Sequence, residues 1–185
     1  YELLVHVGSD PNISNEDLVT KQFVAMSDAI ASDVEDGIGE FIANHFVRCI
    51  EEFPIKTSIY GSLFAMVNIV TPEFCDDIFK TTMSQLNKCF IEQRYSNACN
   101  LMRFLSILPK MKVLTVDDLV TYIYKPLHKE LINNKKQGKH LHAHCKEQIT
   151  ICFLCSILWG GKEVMENKDM PTLLQNLIKY GINLI

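Results

Sequence analysis

Apolar side chains recur at helical spacing along most of the chain, and no segment alternates convincingly in the manner of a β-strand. Between 73 and 92 they follow one helix face, and the same pattern covers 97–108 and 117–133. The stretch 57–70 is apolar on all sides, so we expect a central, buried helix there. Pro126 predicts a kink. The pattern therefore predicts an all-α protein.

Several helix starts carry N-cap signals. They are Ser14 with Asp17, Thr71 before Pro72, and Thr115 with Asp118. The first and third pairs have the spacing of a capping box, and Pro72 would occupy the first helical position, where a missing N–H costs nothing. These signals divide the chain into separate helices.

The predicted helices pair into four hairpins whose starts lie roughly 40 residues apart, the period of HEAT-type repeats. The hairpins cover 15–53, 55–94, 96–134 and 142–183, with breaks at Pro54, 95–96 and 133–139. A single hairpin cannot bury its apolar stripe, so successive hairpins must stack. We predict a HEAT/armadillo-like solenoid of about four antiparallel hairpins, forming one domain over residues 1–185.

The composition narrows the class of protein. A chain of 185 residues, 48% of them apolar, can bury a sizeable core. Its net charge of −4 gives no general attraction to phosphate backbones. We expect no membrane span, because no apolar run reaches the ~20 residues required, and the amino end lacks a signal-peptide pattern. The chain begins at Tyr1, and we expect it to be part of a larger protein.

Seven cysteines are present, an odd number, and most of them fall within apolar helical stripes. A disulfide framework would be denser and would lie in a shorter, more loop-rich chain. The cysteines therefore indicate a reducing compartment, the cytosol or the nucleus.

The stretch KHLHAHC (139–145) raises the possibility of a metal site. The candidate ligands are His140, His142, His144 and Cys145, followed by the pair Cys152 and Cys155. Alternating histidines share a face only on a strand, and no strand is expected here. A structural zinc site usually shows two tight ligand pairs at turns. A polar loop leading into a buried helix explains the pattern better, so we predict neither a metal nor a cofactor.

Basic residues crowd the same region: Lys125, Lys129, Lys135, Lys136, Lys139 and Lys146. Lysines can neutralise an RNA backbone without reading its sequence. Lys129, Lys135, Lys136 and Lys139 are therefore candidates for a partner or RNA-backbone surface. No aromatic residues are interleaved with them, which favours a solvated loop.

The sequence offers little for catalysis. It has no nucleophile elbow, no glycine-rich phosphate loop and no H-E-x-x-H motif. The acidic stretch 28–40 is typical of a solvated helix end and turn. We predict no catalytic residue, and we interpret Tyr60, Phe104 and Trp159 as packing anchors.

Three strings carry a family resemblance: KTSIYGSLFAMVNI (56–69), QLNKCFIEQRYSNACNLMRFLSIL (85–108) and LCSILWGGKEVMENKD (154–169). Together they resemble the first helical domain of nuclear cap-binding complex large subunits, within the family of the translation initiation factor four-gamma middle domain. The family shows T-I-Y, N-Y-N-E-A…L-V-R-F-L and L-P-W-V-G-K-E-L patterns in this order. Here the proline between Leu158 and Trp159 is absent, and the Lys/His-rich loop at 133–146 is particular to this chain.

The resemblance implies a non-catalytic scaffold in the nucleus that can shuttle to the cytoplasm. In this family the large subunit supports a small subunit with an RNA-recognition fold, which holds the methylated cap. It also offers surfaces to export, splicing and decay factors. The small subunit docks mainly on domains beyond the first, so this chain is expected to meet capped RNA only indirectly.

Two alternatives remain open. A middle domain from a translation-initiation or nonsense-mediated-decay scaffold would share the fold and bind an RNA helicase. The second alternative, from a different functional class, is a metal-dependent enzyme that uses the cluster from His140 to Cys155. The strings RFL and WGGKE favour the cap-binding resemblance.

Overall fold

A computed structural model describes residues 2–9, 16–129 and 143–181 of the chain. Within these ranges all regular structure is helical. The helices are α1 (Glu2–His6), α2 (Glu16–Glu35), α3 (Gly39–Glu52), α4 (Thr57–Val70), α5 (Pro72–Ile91), α6 (Tyr95–Ile107), α7 (Val116–Leu119, continuing through a π turn at Val120–Tyr124 to residue 129), α8 (Ala143–Gly160), α9 (Lys162–Met165) and α10 (Met170–Gly181). The predicted fold class, an all-α array of helical hairpins, is confirmed.

The helix boundaries follow the four predicted hairpins: α2 with α3, α4 with α5, α6 with α7, and α8 with α10. The closest packing joins the first helices of successive hairpins, α2 against α4 and α6 against α8. Stacking of this kind buries the apolar stripes of the helices, which no single hairpin can cover.

The chain divides into two compact units, Tyr1–Lys88 and Cys89–Ile185. Each unit contains two of the hairpins, with the last residues of α5 falling in the second unit. The organisation of residues 1–185 as one domain remains a prediction.

The first two breaks lie close to their predicted positions. Pro54 opens a short 3₁₀ turn, Pro54–Lys56, between α3 and α4. The second break occupies residues 92–94, slightly before the expected 95–96, because the backbone turns at Gln93 with φ 59°. The Arg94 N–H then donates to the Cys89 carbonyl at 2.8 Å, the bond that closes a Schellman-type helix end. The third predicted break, 133–139, lies outside the described residues.

The core of the first unit is aromatic. The Tyr60 ring meets the edge of Phe46 with centroids 5.9 Å apart, and Phe46 lies 6.2 Å from Phe64. All three side chains are buried. The Tyr60 hydroxyl donates to the Leu4 carbonyl at 3.3 Å, and Lys56 Nζ donates to the Val5 carbonyl at 2.6 Å. These two bonds fasten α1 to the start of α4.

The central-helix prediction for 57–70 holds along most of its length. Tyr60, Leu63, Phe64 and Val67 are buried, but Ile69 is 77% exposed and Val70 is 46% exposed. The last turn of α4 therefore leaves the core. An all-round apolar pattern cannot show this, because it lacks the polar face that would mark the solvent side.

The helix widens into a π turn just before Pro126, the position of the predicted kink. Proline has no N–H to donate, and its ring would clash with the carbonyl four residues earlier, that of Tyr122. Just before it, the Lys125 N–H reaches back five residues to the Val120 carbonyl. This widened turn lets α7 continue past the proline.

Among the described helices, none is individually both long and apolar enough to cross a membrane. Gly39–Glu52 and Pro54–Val70 meet the length and composition test only when taken together, and a bend of 106° separates them.

Candidate functional site

The structure brings together two of the sequence strings that carry the family resemblance. One lies on α6, around Arg103, and the other spans the end of α8 and the turn that follows it, from Leu158 to Val164. The two helices pack along each other within the second unit. The two sequence strings lie about fifty residues apart in the chain but are in contact in the fold. We call the region formed by α6, α8 and the turn up to Val164 the α6–α8 site.

Arg103 and Trp159 join the two strings. The guanidinium carbon of Arg103 lies 5.8 Å from the Trp159 ring centroid, a distance at which a cation is attracted to the ring face. Arg103 Nε is shielded from solvent and has no hydrogen-bond partner. The Trp159 side chain is partly buried, with the Arg103 guanidinium over its ring. Its role as a packing anchor remains a proposal, with Arg103 as the packed partner.

The turn after Trp159 requires both of its glycines. A Cβ on Gly160 would lie 2.5 Å from Cγ2 of the buried Val164 and 3.5 Å from the Ser106 carbonyl oxygen. Gly161 adopts φ 72° and ψ −153°, a conformation that is nearly exclusive to glycine. A Cβ there would lie 2.8 Å from Lys110 Nζ. The Gly-Gly pair therefore permits close approach of α6 as well as ending α8.

Polar contacts connect the segment after this turn to α7. Asn167 Nδ2 donates to Asp117 Oδ1 at 2.6 Å, and Lys125 Nζ pairs with Asp169 Oδ2 at 2.7 Å. The hydrogen bond from Lys125 holds the pKa of the Asp169 carboxyl below its usual range. Since Lys125 is paired in this way, it is less available to RNA phosphate than the sequence suggested.

A small polar network lies inside the packing of α6, α7 and α8. The Ser156 hydroxyl donates to the Tyr124 hydroxyl at 3.0 Å, and Ser106 Oγ lies 3.4 Å from the same oxygen. All three side chains are buried, and burial raises the pKa of the Tyr124 phenol. Hydrogen bonds inside a core stabilise one helix register over others, because a shifted register would leave buried hydroxyls without partners.

Three cysteine thiols also meet in the α6–α8 site. Cys99 of α6 interacts with Cys152 and Cys155 of α8 and with Arg103 of its own helix. The hydrogen bond from Cys152, together with Cys155 and the Arg103 charge, lowers the pKa of the Cys99 thiol to about 6. Burial and the Cys99 charge raise the pKa of Cys155. The ionisation of any one of these thiols therefore depends on the protonation of the other two.

The sequence prediction placed Cys99 and Cys152 in apolar stripes, and it considered Cys152 with Cys155 either as metal ligands or as core residues. It did not connect the three thiols. The available signal was Arg103, four residues after Cys99 and therefore on the same helix face, which marks this cysteine as one beside a positive charge.

Most residues of the predicted metal cluster and basic surface lie outside the described residues, namely His140, His142, Lys135, Lys136 and Lys139. His144 and Cys145 belong to the first turn of α8, but their side chains are also outside the described set. Lys129 is exposed at the end of α7. No cluster of three or more His, Cys, Asp and Glu side chains in the described part of the chain has metal-binding geometry. The metal and surface assignments stay predictions.

The other two predicted anchors occupy cores. Tyr60 is fully buried in the first unit and Phe104 in the second. Both positions fit a packing role, which remains a proposal until it is measured.

The outer face of α8 exposes apolar side chains. Leu158 is 81% exposed and Ile151 is 42% exposed, two turns apart on the same helix. Met165 of α9 is 45% exposed. These side chains offer apolar area that a protein partner could cover.

Comparison with known proteins gives a consistent result. No protein-family model matches the chain. It is 27% identical over 129 residues to nuclear cap-binding protein subunit 1 of Gallus gallus, an alignment covering 69% of this chain and 16% of the relative. The Homo sapiens protein of the same name gives the same identity and coverage, and the Arabidopsis thaliana protein is 22% identical, covering 69% and 15%.

The aligned region spans about one sixth of the length of these relatives. The predicted correspondence to their first helical domain remains a prediction. The resemblance to nuclear cap-binding complex large subunits that was predicted from the sequence is confirmed.

Proposed function

We propose that the chain is a non-catalytic scaffold domain of a nuclear cap-binding complex large subunit. The observation that carries the proposal is its similarity to nuclear cap-binding protein subunit 1 from birds, mammals and plants. A large subunit of this kind supports a small cap-binding subunit and offers surfaces to mRNA export, splicing and decay factors. Its location is the nucleus, with shuttling to the cytoplasm.

The geometry of the α6–α8 site supports a scaffolding role. The family-like strings make packing contacts: an arginine lies over a tryptophan ring and a glycine pair lies against a valine and a backbone carbonyl. Residues whose role is to pack in this way maintain the shape of the domain. The exposed apolar side chains of α8 and α9 offer contact area to protein partners.

In the proposed role, the methylated mRNA cap is bound by another subunit. Recognising a methylated guanine takes aromatic planes that stack on the base. Many of the described aromatic side chains are buried in the cores: Phe46, Tyr60, Phe64, Phe74, Phe104, Tyr124 and Phe153. The net charge of −4 also disfavours an RNA backbone. Capped RNA is therefore expected to reach this domain only through the small subunit.

A pulldown from nuclear extract tests the proposal. The bait is this chain joined to its native downstream sequence, because the small subunit is expected to dock mainly there. Recovery of a small subunit with an RNA-recognition fold, and its retention on cap-analogue resin, would support the proposal. Recovery of an RNA helicase without the small subunit would instead favour a middle domain from translation initiation or nonsense-mediated decay.

Fluorescence titration with a cap analogue separates scaffolding from direct recognition. The 185-residue chain alone should show no saturable binding, and the small subunit alone or in complex serves as the positive control. Micromolar or tighter binding by this chain alone would contradict the scaffold role and direct attention to the Lys/His-rich loop at 133–146.

A further inference from the structure

An apolar groove lies between α1, α2 and α3 of the first unit. We propose that it is a docking site for a basic peptide segment of a partner protein, one that carries an aliphatic anchor residue with a Lys or Arg close to it in sequence. The inference goes beyond the proposed scaffold function. It concerns a surface separate from the α6–α8 site and does not depend on the assignment to a cap-binding complex.

Buried side chains form the floor of the groove and exposed ones form its rim. Leu4, Ile30 and Ile42, one from each helix, are buried, whereas Leu3 is 72% exposed and Phe41 is 60% exposed. The cavity that they line has a volume of about 80 Å³. A cavity of ~150 Å³ admits a benzene molecule, so the groove has room for one aliphatic side chain.

Phe41 is exposed but restrained by its neighbour on α3. His45 Nδ1 donates to the Phe41 carbonyl at 2.8 Å, and the centroids of the two rings lie 4.0 Å apart. This contact restricts the Phe41 ring before any partner arrives, and a side chain that is already ordered loses little entropy on binding. An exposed, restrained aromatic ring beside a cavity is therefore well placed to contribute to binding.

Carboxylates surround the groove, with no Lys or Arg among the residues that line it. Asp33 is one of the lining residues, and no ion pair in the described part of the chain involves its carboxylate. Apart from His45, every ionisable side chain from 28 to 47 is acidic. These side chains, all of them exposed, are Asp28, Asp33, Glu35, Asp36 and Glu40.

The next cations along the chain do not line the groove. Arg48, three residues after His45, pairs with Glu52 at 2.7 Å. Lys56 Nζ donates to the Val5 carbonyl at 2.6 Å. The groove therefore presents negative charge beside apolar area. Charge of one sign attracts a segment of the opposite sign and repels segments of its own sign.

The same charges argue against other occupants. An RNA backbone or an anionic membrane surface would place phosphates against Asp33 and its neighbours. A second copy of the chain, docked through the same groove, would bring two sets of carboxylates together. A basic peptide matches both features of the surface, since its aliphatic side chain fills the cavity while its Lys or Arg pairs with Asp33.

Selection from a random phage-displayed peptide library identifies what the groove accepts. The bait is the 185-residue chain at low ionic strength, and an Ala29→Leu variant removes peptides that bind elsewhere. Ala29 is an exposed residue of α2 that lines the groove, so leucine there fills the cavity and remains a good helix former. Peptides that bind only the unmodified chain should combine Leu, Ile or Met with a nearby Lys or Arg. No enrichment, or enrichment of acidic peptides, would contradict the proposal.

Fluorescence anisotropy with one enriched, fluorescein-labelled peptide measures each contribution. Phe41→Ala should weaken binding about fivefold or more, because truncating an aromatic residue at the centre of an interface removes much of its binding energy. Asp33→Asn should weaken it about two- to fivefold at low salt and less at high salt. The matched controls are Leu158→Ala, an exposed aliphatic residue of α8, and Glu166→Gln, an exposed carboxylate paired with Lys162. Circular dichroism confirms that each variant is folded. Controls that weaken binding as much as the groove variants would refute the site.

Two further outcomes would assign the groove to a different occupant. A dimer of the peptide-free chain in analytical ultracentrifugation, dissociated by Phe41→Asp, would assign it to a second copy. Loss of peptide binding when the chain is joined to its native neighbouring sequence would assign it to a segment of the same protein. A monomer that binds the peptide both alone and within the longer protein supports the docking site.

Discussion

Replacing Gly160 with alanine tests whether α6, α8 and the turn after α8 meet as closely as the structure indicates. The added Cβ would lie 2.5 Å from Val164 Cγ2 and 3.2 Å from Val164 Cβ. A real Cβ atom essentially never approaches another group to less than 3.0 Å, so some group must move. Val164 cannot yield easily, because it is fully buried and its branched side chain has a single strongly preferred rotamer in a helix.

Two opposing effects set the size of the change. Alanine in place of glycine within a helix normally stabilises by roughly 0.5–1 kcal/mol, because the unfolded chain loses freedom. Forcing an extra methyl group into a packed core costs about 1–3 kcal/mol. Since the contact with Val164 is short and rigid, overpacking should prevail. We expect Gly160→Ala to reduce the free energy of unfolding by about 1–2 kcal/mol.

Urea unfolding followed by circular dichroism at 222 nm measures this difference from the transition midpoint at constant slope. Gly39→Ala is the matched control, because its Cβ would meet its nearest neighbour, the Phe74 ring, at an ordinary 3.6 Å. That variant should be neutral or slightly more stable than the unmodified chain.

A double-mutant cycle identifies the cause. In a Val164→Ala background the 2.5 Å contact is gone and only the 3.2 Å contact with the Cβ of residue 164 remains, so adding Gly160→Ala should cost clearly less. The expected coupling between the two sites is about 1–3 kcal/mol. Gly160→Ala that leaves stability unchanged, or costs the same in both backgrounds, would refute the close approach of these helices.

Three further outcomes are expected. Phe104→Ala should cost about 3–5 kcal/mol of unfolding free energy, because Phe104 is fully buried. Trp159→Ala should cost clearly less, because that ring is partly exposed. Thermal unfolding of both variants checks the order. Thr115→Ala should cost about 1 kcal/mol, measured by urea unfolding, because Thr115 and Asp118 form a complete capping box. The free energy of unfolding should rise between pH 6 and pH 9, because in this range the unfolded chain keeps a proton on Cys99 that the folded chain has released. Urea unfolding at several pH values measures the rise, and Cys99→Ser should flatten it.

The helices could be predicted from the sequence because their evidence is local. The capping box at Thr115 and Asp118 forms as the spacing predicted, with the Asp118 N–H donating to Thr115 Oγ1 at 3.1 Å. Pro72 begins α5 and Pro54 separates α3 from α4. Each signal acts through the backbone within four residues, so it needs no knowledge of the tertiary structure.

The α6–α8 site could not be predicted in the same way. A period of 3.6 residues shows which side chains share a face of one helix, but it does not show which residues of another helix that face will meet. Arg103 and Trp159, and Cys99 and Cys155, come together only because α6 crosses α8 at one particular register.

The π turn at Val120–Tyr124 has a consequence for comparing this chain with its relatives. A π turn holds one more residue than the α-helical turn it replaces, and every later side chain is rotated about the helix axis by roughly 100°, the step of one residue. In this chain the π turn ends at Tyr124, whose hydroxyl meets Ser156. A relative with a regular helix here would need one residue fewer to keep its tyrosine on the same partner. An alignment with such a relative should therefore place a one-residue gap within 120–124, because a gap placed elsewhere in α7 would pair residues whose side chains point roughly 100° apart.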